Sequence, residues 1–127
     1  MSEEMKPLIL IVDRQLSTLT SLDSLLSQHG YRVTTCSSST EAMKAVAGQR
    51  LDLVIAGGDG PERPGSTLAA EIKALSPETS VLLLVETDDD SMVAGAIAAG
   101  VDGLLRRSYS DRQVIQRVER LLHVVQT

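Results

Sequence analysis

Short apolar runs alternate along this chain with segments in which apolar residues recur at helical spacing. The runs predict five strands, at 8–12, 31–36, 51–56, 81–85 and 102–105. Those at 8–12 and 81–85 are apolar throughout, which is typical of strands buried on both faces of a parallel sheet. The strict alternation predicts an α/β fold, a doubly wound five-stranded parallel sheet with right-handed crossovers and helices on both faces.

The segment after each strand has the start or stop signals of a helix. The first helix stops at Gly30, which suits a left-handed cap, and the third ends before Pro77. Capping-box patterns at 38–41, 87–90 and 110–113 open the second, fourth and fifth helices. The residues expected to face the core are Leu16, Leu19, Leu22, Leu25 and Leu26, then Ala42, Met43 and Val46, then Leu68, Ile72 and Leu75, then Val93, Ala96 and Ile97, and finally Val114, Val118, Leu121, Leu122 and Val125.

Length and charge limit the class of protein. A chain of 127 residues suits one domain, placed at 1–127 with a core from about 7 to 122. The formal net charge is −5, so the chain lacks the basic face that nucleic acid binding usually needs, and we expect no direct contact with nucleic acid. Neither a signal-peptide pattern nor an apolar run of membrane-spanning length is present, which favours a cytoplasmic location.

The usual metal-binding side chains are sparse. Cys36 is the single cysteine, and His29 and His123 have no ligand-like spacing. We therefore expect neither a disulfide framework nor a metal site built from these residues.

The order and spacing of several short pieces resemble the receiver domain of bacterial two-component response regulators. The pieces are Leu-Ile-Leu-Ile-Val-Asp at 8–13, Asp-Leu-Val-Ile at 52–55, Pro61 and Gly65 four and eight residues after Gly57, and Ala-Gly-Val-Asp-Gly-Leu-Leu at 99–105. The resemblance implies a flavodoxin-like fold with strand order 2-1-3-4-5, in which ligands and chemistry collect at the carboxyl ends of the strands.

The same resemblance implies a phosphoryl-transfer site. The family holds Mg²⁺ with a pair of acids after the first strand and an aspartate after the third, and that aspartate accepts a phosphoryl group from a histidine kinase. A Thr or Ser after the fourth strand and a Lys after the fifth then bond the phosphate. The metal and the lysine neutralise the charge that develops on the transferred group.

This chain departs from that pattern at most of the site positions. Asp13 keeps the first acid, but the other positions hold Arg14 for the second acid, Gly57 for the phosphoacceptor, Val85 for the hydroxyl, Arg107 for the lysine, Ser108 for the proline that usually follows it, and Leu104 for the aromatic of the fifth strand. We therefore expect a degenerate pseudo-receiver with no catalytic residue and no enzyme activity.

Charge at these positions disfavours a metal. Asp13 contributes −1 while Arg14 and Arg107 contribute +1 each, which leaves a net charge of +1. Because Mg²⁺ needs several oxygen ligands and would meet a guanidinium, we expect no Mg²⁺ and no other cofactor. The expected counter-ions of the two arginines are Asp13 and Asp59.

The resemblance also implies how such a domain acts, by docking to a kinase, an output domain or a second copy of itself. The surface that receiver domains commonly use is the fourth helix, fifth strand and fifth helix, with candidate interface residues Ala94, Gly95, Ala98, Ala99, Leu104, Arg112 and Arg117. These alanines could equally be ordinary helix formers and the charges a solvated face.

Two rival functions stay open at the sequence level. One is a domain that senses a small anion or nucleotide through Arg14 and Arg107. The other is an atypical phosphoacceptor that uses Asp59, two residues after Gly57. A sequence ending at Thr127 suits either an isolated adaptor or the N-terminal piece of a longer regulator.

Overall fold

Strands and helices alternate through the computed structural model, which describes residues 6–57, 65–87 and 89–126. The elements in chain order are β1 (Leu8–Val12), α1 (Leu16–Gln28), β2 (Arg32–Cys36), α2 (Ser39–Gly48), β3 (Leu53–Ala56), α3 (Gly65–Leu75), β4 (Ser80–Val85), α4 (Asp90–Ala99), β5 (Gly103–Arg106) and α5 (Asp111–Gln126). The strands form one parallel sheet in the order β2-β1-β3-β4-β5. The predicted fold class and strand order are confirmed, and strand ends differ from the predicted ones by one or two residues.

The sheet separates two layers of apolar side chains. Alternate strand residues such as Leu10, Val54 and Leu83 pack on one face with α2, α3 and α4. Their neighbours, such as Ile9 and Ile55, pack on the other face with α1 and α5. Because side chains point to opposite faces at successive strand positions, continuously apolar strands are what a sheet covered on both faces requires.

Local hydrogen bonds explain where the helices begin and end. The Ser38 hydroxyl accepts from the backbone N–H of Glu41 at 3.2 Å, and Ser110 and Gln113 cap each other reciprocally. Helix α4 begins two residues later than the pattern at 87–90 predicts. Its cap is Asp89, whose carboxylate accepts from the Met92 N–H at 2.9 Å. Two glycines adopt positive φ just after α1 and α4, Gly30 (88°) and Gly100 (80°).

Three residues that were predicted to face the core, two leucines and one isoleucine, are exposed instead. Leu16 is 74% exposed, Leu75 51% and Ile97 72%. Leu16 and Leu75 are the terminal residues of α1 and α3, where fewer neighbours are available to cover a side chain. Ile97 follows the buried Ala96, and a helix turns by about 100° per residue, so this position points away from the sheet. Val125 lies among the residues whose side chains are not described.

Candidate functional site

The carboxyl ends of β1, β3, β4 and β5 meet at one edge of the sheet. The residues after β1, β3 and β5 are each held by a backbone hydrogen bond to a neighbouring strand: Asp13 N to Cys36 O at 3.2 Å, Gly57 N to Val12 O at 2.8 Å, and Arg107 N to Val85 O at 2.9 Å. These bonds fix the positions from which the side chains of the site project.

Asp13 is the most deeply buried charged side chain of this site among the described residues. Among the side chains that the structure describes, it is the one buried residue with a formal charge, at 0% exposure. Its Oδ1 accepts from the backbone N–H of Gln15 at 2.8 Å, and its Oδ2 accepts from Arg107 Nη2 at 2.6 Å. A buried carboxylate is tolerated only when it is paired and hydrogen-bonded, and both oxygens of Asp13 meet that requirement.

The guanidinium of Arg107 reaches from the end of β5 across the edge of the sheet. Besides Asp13 it contacts the carbonyl oxygen of Gly57, 3.2 Å from Nη2, and the carboxylate of Glu86, whose Oε1 lies 3.0 Å from Nε. The Arg107 side chain is 20% exposed while that of Glu86 is 80% exposed. One side chain therefore joins the ends of β1, β3, β4 and β5.

Gly57 lies directly beneath this ion pair. A Cβ built on Gly57 would be 2.1 Å from Asp13 Oδ2 and 2.7 Å from Arg107 Nη2. Both distances are far below van der Waals contact, so no residue with a side chain fits at this position while the ion pair keeps its geometry.

Arg14 and Val85 line the same cleft as Asp13, Gly57 and Arg107, and the cleft has a volume of about 250 Å³. Arg14 is exposed beside Asp13, and Val85 presents a buried apolar side chain at the end of β4. Asp59 lies outside the described residues. Of the two predicted arginines, Arg107 thus forms the ion pair with Asp13, whereas among the described residues no salt bridge joins Arg14 to the pair.

Glu86 is a partner that the sequence hypothesis missed. The predicted counter-ions of Arg14 and Arg107 are Asp13 and Asp59; Glu86 is not among them, yet its carboxylate contacts Arg107, while Asp59 lies outside the described residues. Among the described residues that line the cleft, the carboxylates of Asp13 and Glu86 contribute −2 and Arg14 and Arg107 contribute +2, whereas the predicted +1 counted Asp13, Arg14 and Arg107 alone. The available signal was that Glu86 directly follows β4, the strand next to β5.

Tyr109 is a second residue that sequence reasoning passed over. It is half-buried in the connection between β5 and α5, where its N–H donates to Arg106 O at 2.9 Å. Burial raises the pKa of its phenol above the ordinary value, the Arg107 charge acts to lower it, and the charges of Asp13 and Asp111 act to raise it. The charges of Asp13 and Arg107 in the cleft therefore act on the pKa of Tyr109, although its side chain lines a separate groove near α4.

That groove lies between α4 and α5 and has a volume of about 390 Å³. Its walls include Val93, Leu104, Arg106, Tyr109 and Arg117. Strand β5 is at the edge of the sheet, and Arg117 Nη1 donates to the Leu104 carbonyl. An arginine thus covers a backbone group that an edge strand would otherwise leave open.

Other predicted interface residues surround this groove to different extents. Ala94, Gly95 and Ala98 are exposed on α4, while Ala99 is half-buried against the core. Arg112 does not join them, because it lines a depression with Leu25, His29 and Ile115 next to α1. The structure therefore brings Leu104 and Arg117 together and places Arg112 elsewhere.

The family of the chain follows from comparison with known proteins. The family model described as the response regulator receiver domain matches residues 9–119. The chain belongs to this family and is a receiver domain of the two-component response regulators. Receiver domains are signalling modules.

Characterised relatives are longer than this chain. It is 36% identical over 94 residues to the transcriptional regulatory protein ZraR of Escherichia coli (strain K12), which covers 70% of this chain and 21% of that protein. It is 27% identical over 114 residues to the alkaline phosphatase synthesis transcriptional regulatory protein PhoP of Bacillus subtilis (strain 168), covering 90% and 48%. The chain therefore spans about a fifth to a half of the length of the curated relatives it matches.

Solved structures agree with the fold. The signal receiver domain of an HD domain-containing protein from Pseudomonas fluorescens Pf-5 superposes with a TM-score of 0.87 at 30% identity, covering 95% of this chain and 90% of that one. A CheY-like receiver domain protein from Methanospirillum hungatei JF-1 gives a TM-score of 0.89 at 19% identity, with coverage of 95% and 97%, and supports the fold alone.

The described residues were also compared with what a metal ion or a membrane would need. Residues 6–57, 65–87 and 89–126 contain no group of three or more His, Cys, Asp or Glu placed to hold a metal ion. At the position where the family binds Mg²⁺, a cation would meet Arg107 Nη2, which is 2.6 Å from Asp13 Oδ2. The described residues at this position do not fit the metal. Over the same part of the chain, every helix is too short or too polar to cross a membrane.

Proposed function

We propose that this receiver domain is a degenerate one that works in a two-component pathway without phosphorylation, by docking to other proteins or by dimerising. The observation that carries the proposal is the Arg107–Asp13 ion pair over Gly57, at 2.6 Å. It occupies the space into which a side chain at position 57 would extend. Gly57 itself offers no side chain to phosphorylate.

Loss of the metal follows from the same contacts. Mg²⁺ requires near-octahedral oxygen ligands, and it would have to separate the buried carboxylate of Asp13 from a guanidinium that already neutralises it. The residue after Asp13 is Arg14, so the family's second acid is replaced by a positive charge, which would repel the metal ion. We therefore propose that the domain binds no Mg²⁺ and catalyses no reaction.

The docking surface that we propose is α4, β5 and α5. Support comes from Ile97, which is 72% exposed, and from the small exposed side chains of Ala94 and Ala98 on the same helix. Such side chains let a partner backbone approach closely. The proposed partners are a kinase, an output domain or a second copy of the chain, in the cytoplasm and without direct contact of this domain with nucleic acid.

Neither rival function gains support from a contact in the described residues. Anion sensing through Arg14 and Arg107 is weakened because Arg107 is already paired with Asp13 and Glu86. The rival acceptor Asp59 is outside the described part of the chain, so it is addressed by experiment.

The test is incubation with a small phosphodonor and Mg²⁺ followed by measurement of the intact mass. We expect the mass to stay unchanged, because no acceptor carboxylate lies at position 57. A receiver domain with the complete acidic pocket serves as the positive control. An adduct of one phosphoryl group that disappears in Asp59→Asn would overturn the proposal and establish Asp59 as the acceptor.

A further inference from the structure

We infer that Gly57 is required for space beneath the Arg107 guanidinium, and that this guanidinium is a built-in cation which holds the strand ends in one arrangement. We call the contacts of Arg107 with Asp13, Gly57 and Glu86 the Arg107 clamp. The inference has two parts, the reason for the glycine and the reach of the clamp.

The backbone does not explain the glycine. Among the described residues only Gly30 and Gly100 have positive φ, so Gly57 adopts a conformation open to residues with side chains. Glycine is elsewhere favoured where φ is positive or where another group approaches closely. Only the second reason applies at position 57.

The approaching groups are the two halves of the ion pair. A Cβ at position 57 would lie 2.1 Å from Asp13 Oδ2 and 2.7 Å from Arg107 Nη2. Asp13 cannot retreat freely, because its other oxygen accepts from the Gln15 N–H at 2.8 Å. A side chain at position 57 and the closed clamp are therefore mutually exclusive.

Arginine is suited to this position in a way that lysine is not. The clamp uses two nitrogens of the guanidinium, Nη2 toward Asp13 and Gly57 O and Nε toward Glu86. A lysine offers a single nitrogen on a flexible stem and cannot reproduce this fork of donors. The arginine supplies a positive charge to the buried carboxylate and also ties β3 and β4 to it.

The clamp extends toward the proposed docking helix. Glu86 follows β4 directly, and the Asp89 cap of α4 comes three residues later. Because Glu86 is 80% exposed, its arm of the clamp should be screened by salt, whereas the arm to the fully buried Asp13 should not. Through this arm the guanidinium contacts the residue that directly follows β4, without a metal or a phosphoryl group.

A double-mutant cycle tests the mutual exclusion. It compares the unfolding equilibrium constants of wild type, Gly57→Ala, Arg107→Met and the double variant by urea denaturation. We expect Gly57→Ala to raise the unfolding constant by on the order of tenfold or more in the wild-type background, and by several-fold less once Arg107 is removed, since contacting residues are commonly coupled to this degree. The matched control is Gly48→Ala, where a new Cβ meets nothing within 4 Å, and its effect should be equal in both backgrounds.

A second readout reports the geometry directly. The Gln15 amide, which donates to Asp13 Oδ1, should shift in NMR spectra of Gly57→Ala and keep its position in Gly48→Ala. If Arg107→Met does not fold, the cycle is completed with Arg107→Lys. Equal costs of Gly57→Ala in both backgrounds, or an unmoved Gln15 amide, would overturn the inference.

The inference rests on the proposed function only in linking the clamp to signalling. Its measurements are of stability and amide shifts, whereas the proposed function is tested by phosphoryl transfer. A phosphorylated protein with a coupled cycle would refute the proposed function alone, and an additive cycle with no phosphorylation would refute the clamp alone.

Discussion

Asp13 and Glu86 contact the same guanidinium, but one carboxylate is buried and the other is exposed. Asp13 is 0% exposed and holds two hydrogen bonds, while Glu86 is 80% exposed. Removing one member of a buried pair leaves an uncompensated charge, whereas an exposed pair contributes little. The two arms of the clamp should therefore differ in energy although their lengths are similar.

Asp13→Asn is predicted to lower the free energy of unfolding by about 2–3 kcal/mol. This loss is somewhat smaller than that expected when a fully enclosed ion pair is broken, because Arg107 can turn toward solvent. Glu86→Gln should cost less than about 1 kcal/mol, and that cost should disappear at high salt. Urea denaturation at low and high ionic strength measures both. A Glu86→Gln effect equal to that of Asp13→Asn would contradict the ranking.

Helix α4 differs from the other helices in how it meets solvent. Ala96 is its one fully buried residue, and Ile97 next to it is 72% exposed. The leucine stripe of α1 predicted burial well at Leu19, Leu22 and Leu26 because spacing alone decides which face meets the sheet. In α4 apolar residues lie on all sides, so spacing could not identify the buried face, and Ile97 was misassigned.

Ala98→Arg tests whether this exposed face of α4 is a contact surface. A long charged side chain there should weaken self-association or partner binding while the free energy of unfolding stays within about 1 kcal/mol, as expected of an exposed site. Thr20→Arg on the exposed side of α1 is the matched control. Sedimentation velocity and a partner-binding assay report the result. If wild type is monomeric at high concentration and the variant loses no partner, α4 is not the docking surface.

At the scale of the whole molecule, the alternation of strands and helices and the two covered faces of the sheet could be predicted from periodicity, whereas the strand order was implied by the resemblance to receiver domains. The continuously apolar β1, the apolar run 81–85 within β4 and the helix caps carried that prediction. The pocket was predictable only in part. Strand ends must converge, which placed Asp13, Gly57 and Arg107 together, but the choice of Glu86 as partner depends on side-chain geometry that spacing does not encode.

The response of the whole fold to Mg²⁺ is the remaining prediction. A ligand that binds only the folded state raises the free energy of unfolding by RT ln(1 + [L]/Kd), about 2.7 kcal/mol at a hundred times Kd. Because Arg107 already neutralises the buried carboxylate of Asp13, millimolar Mg²⁺ should give the same melting temperature as sodium chloride of equal ionic strength. The amides of Asp13 and Gly57 should likewise stay in place in NMR spectra. A saturable shift at these two amides, together with a rise in melting temperature specific to Mg²⁺, would mean that the metal displaces the guanidinium and that the cleft keeps the metal chemistry of its family.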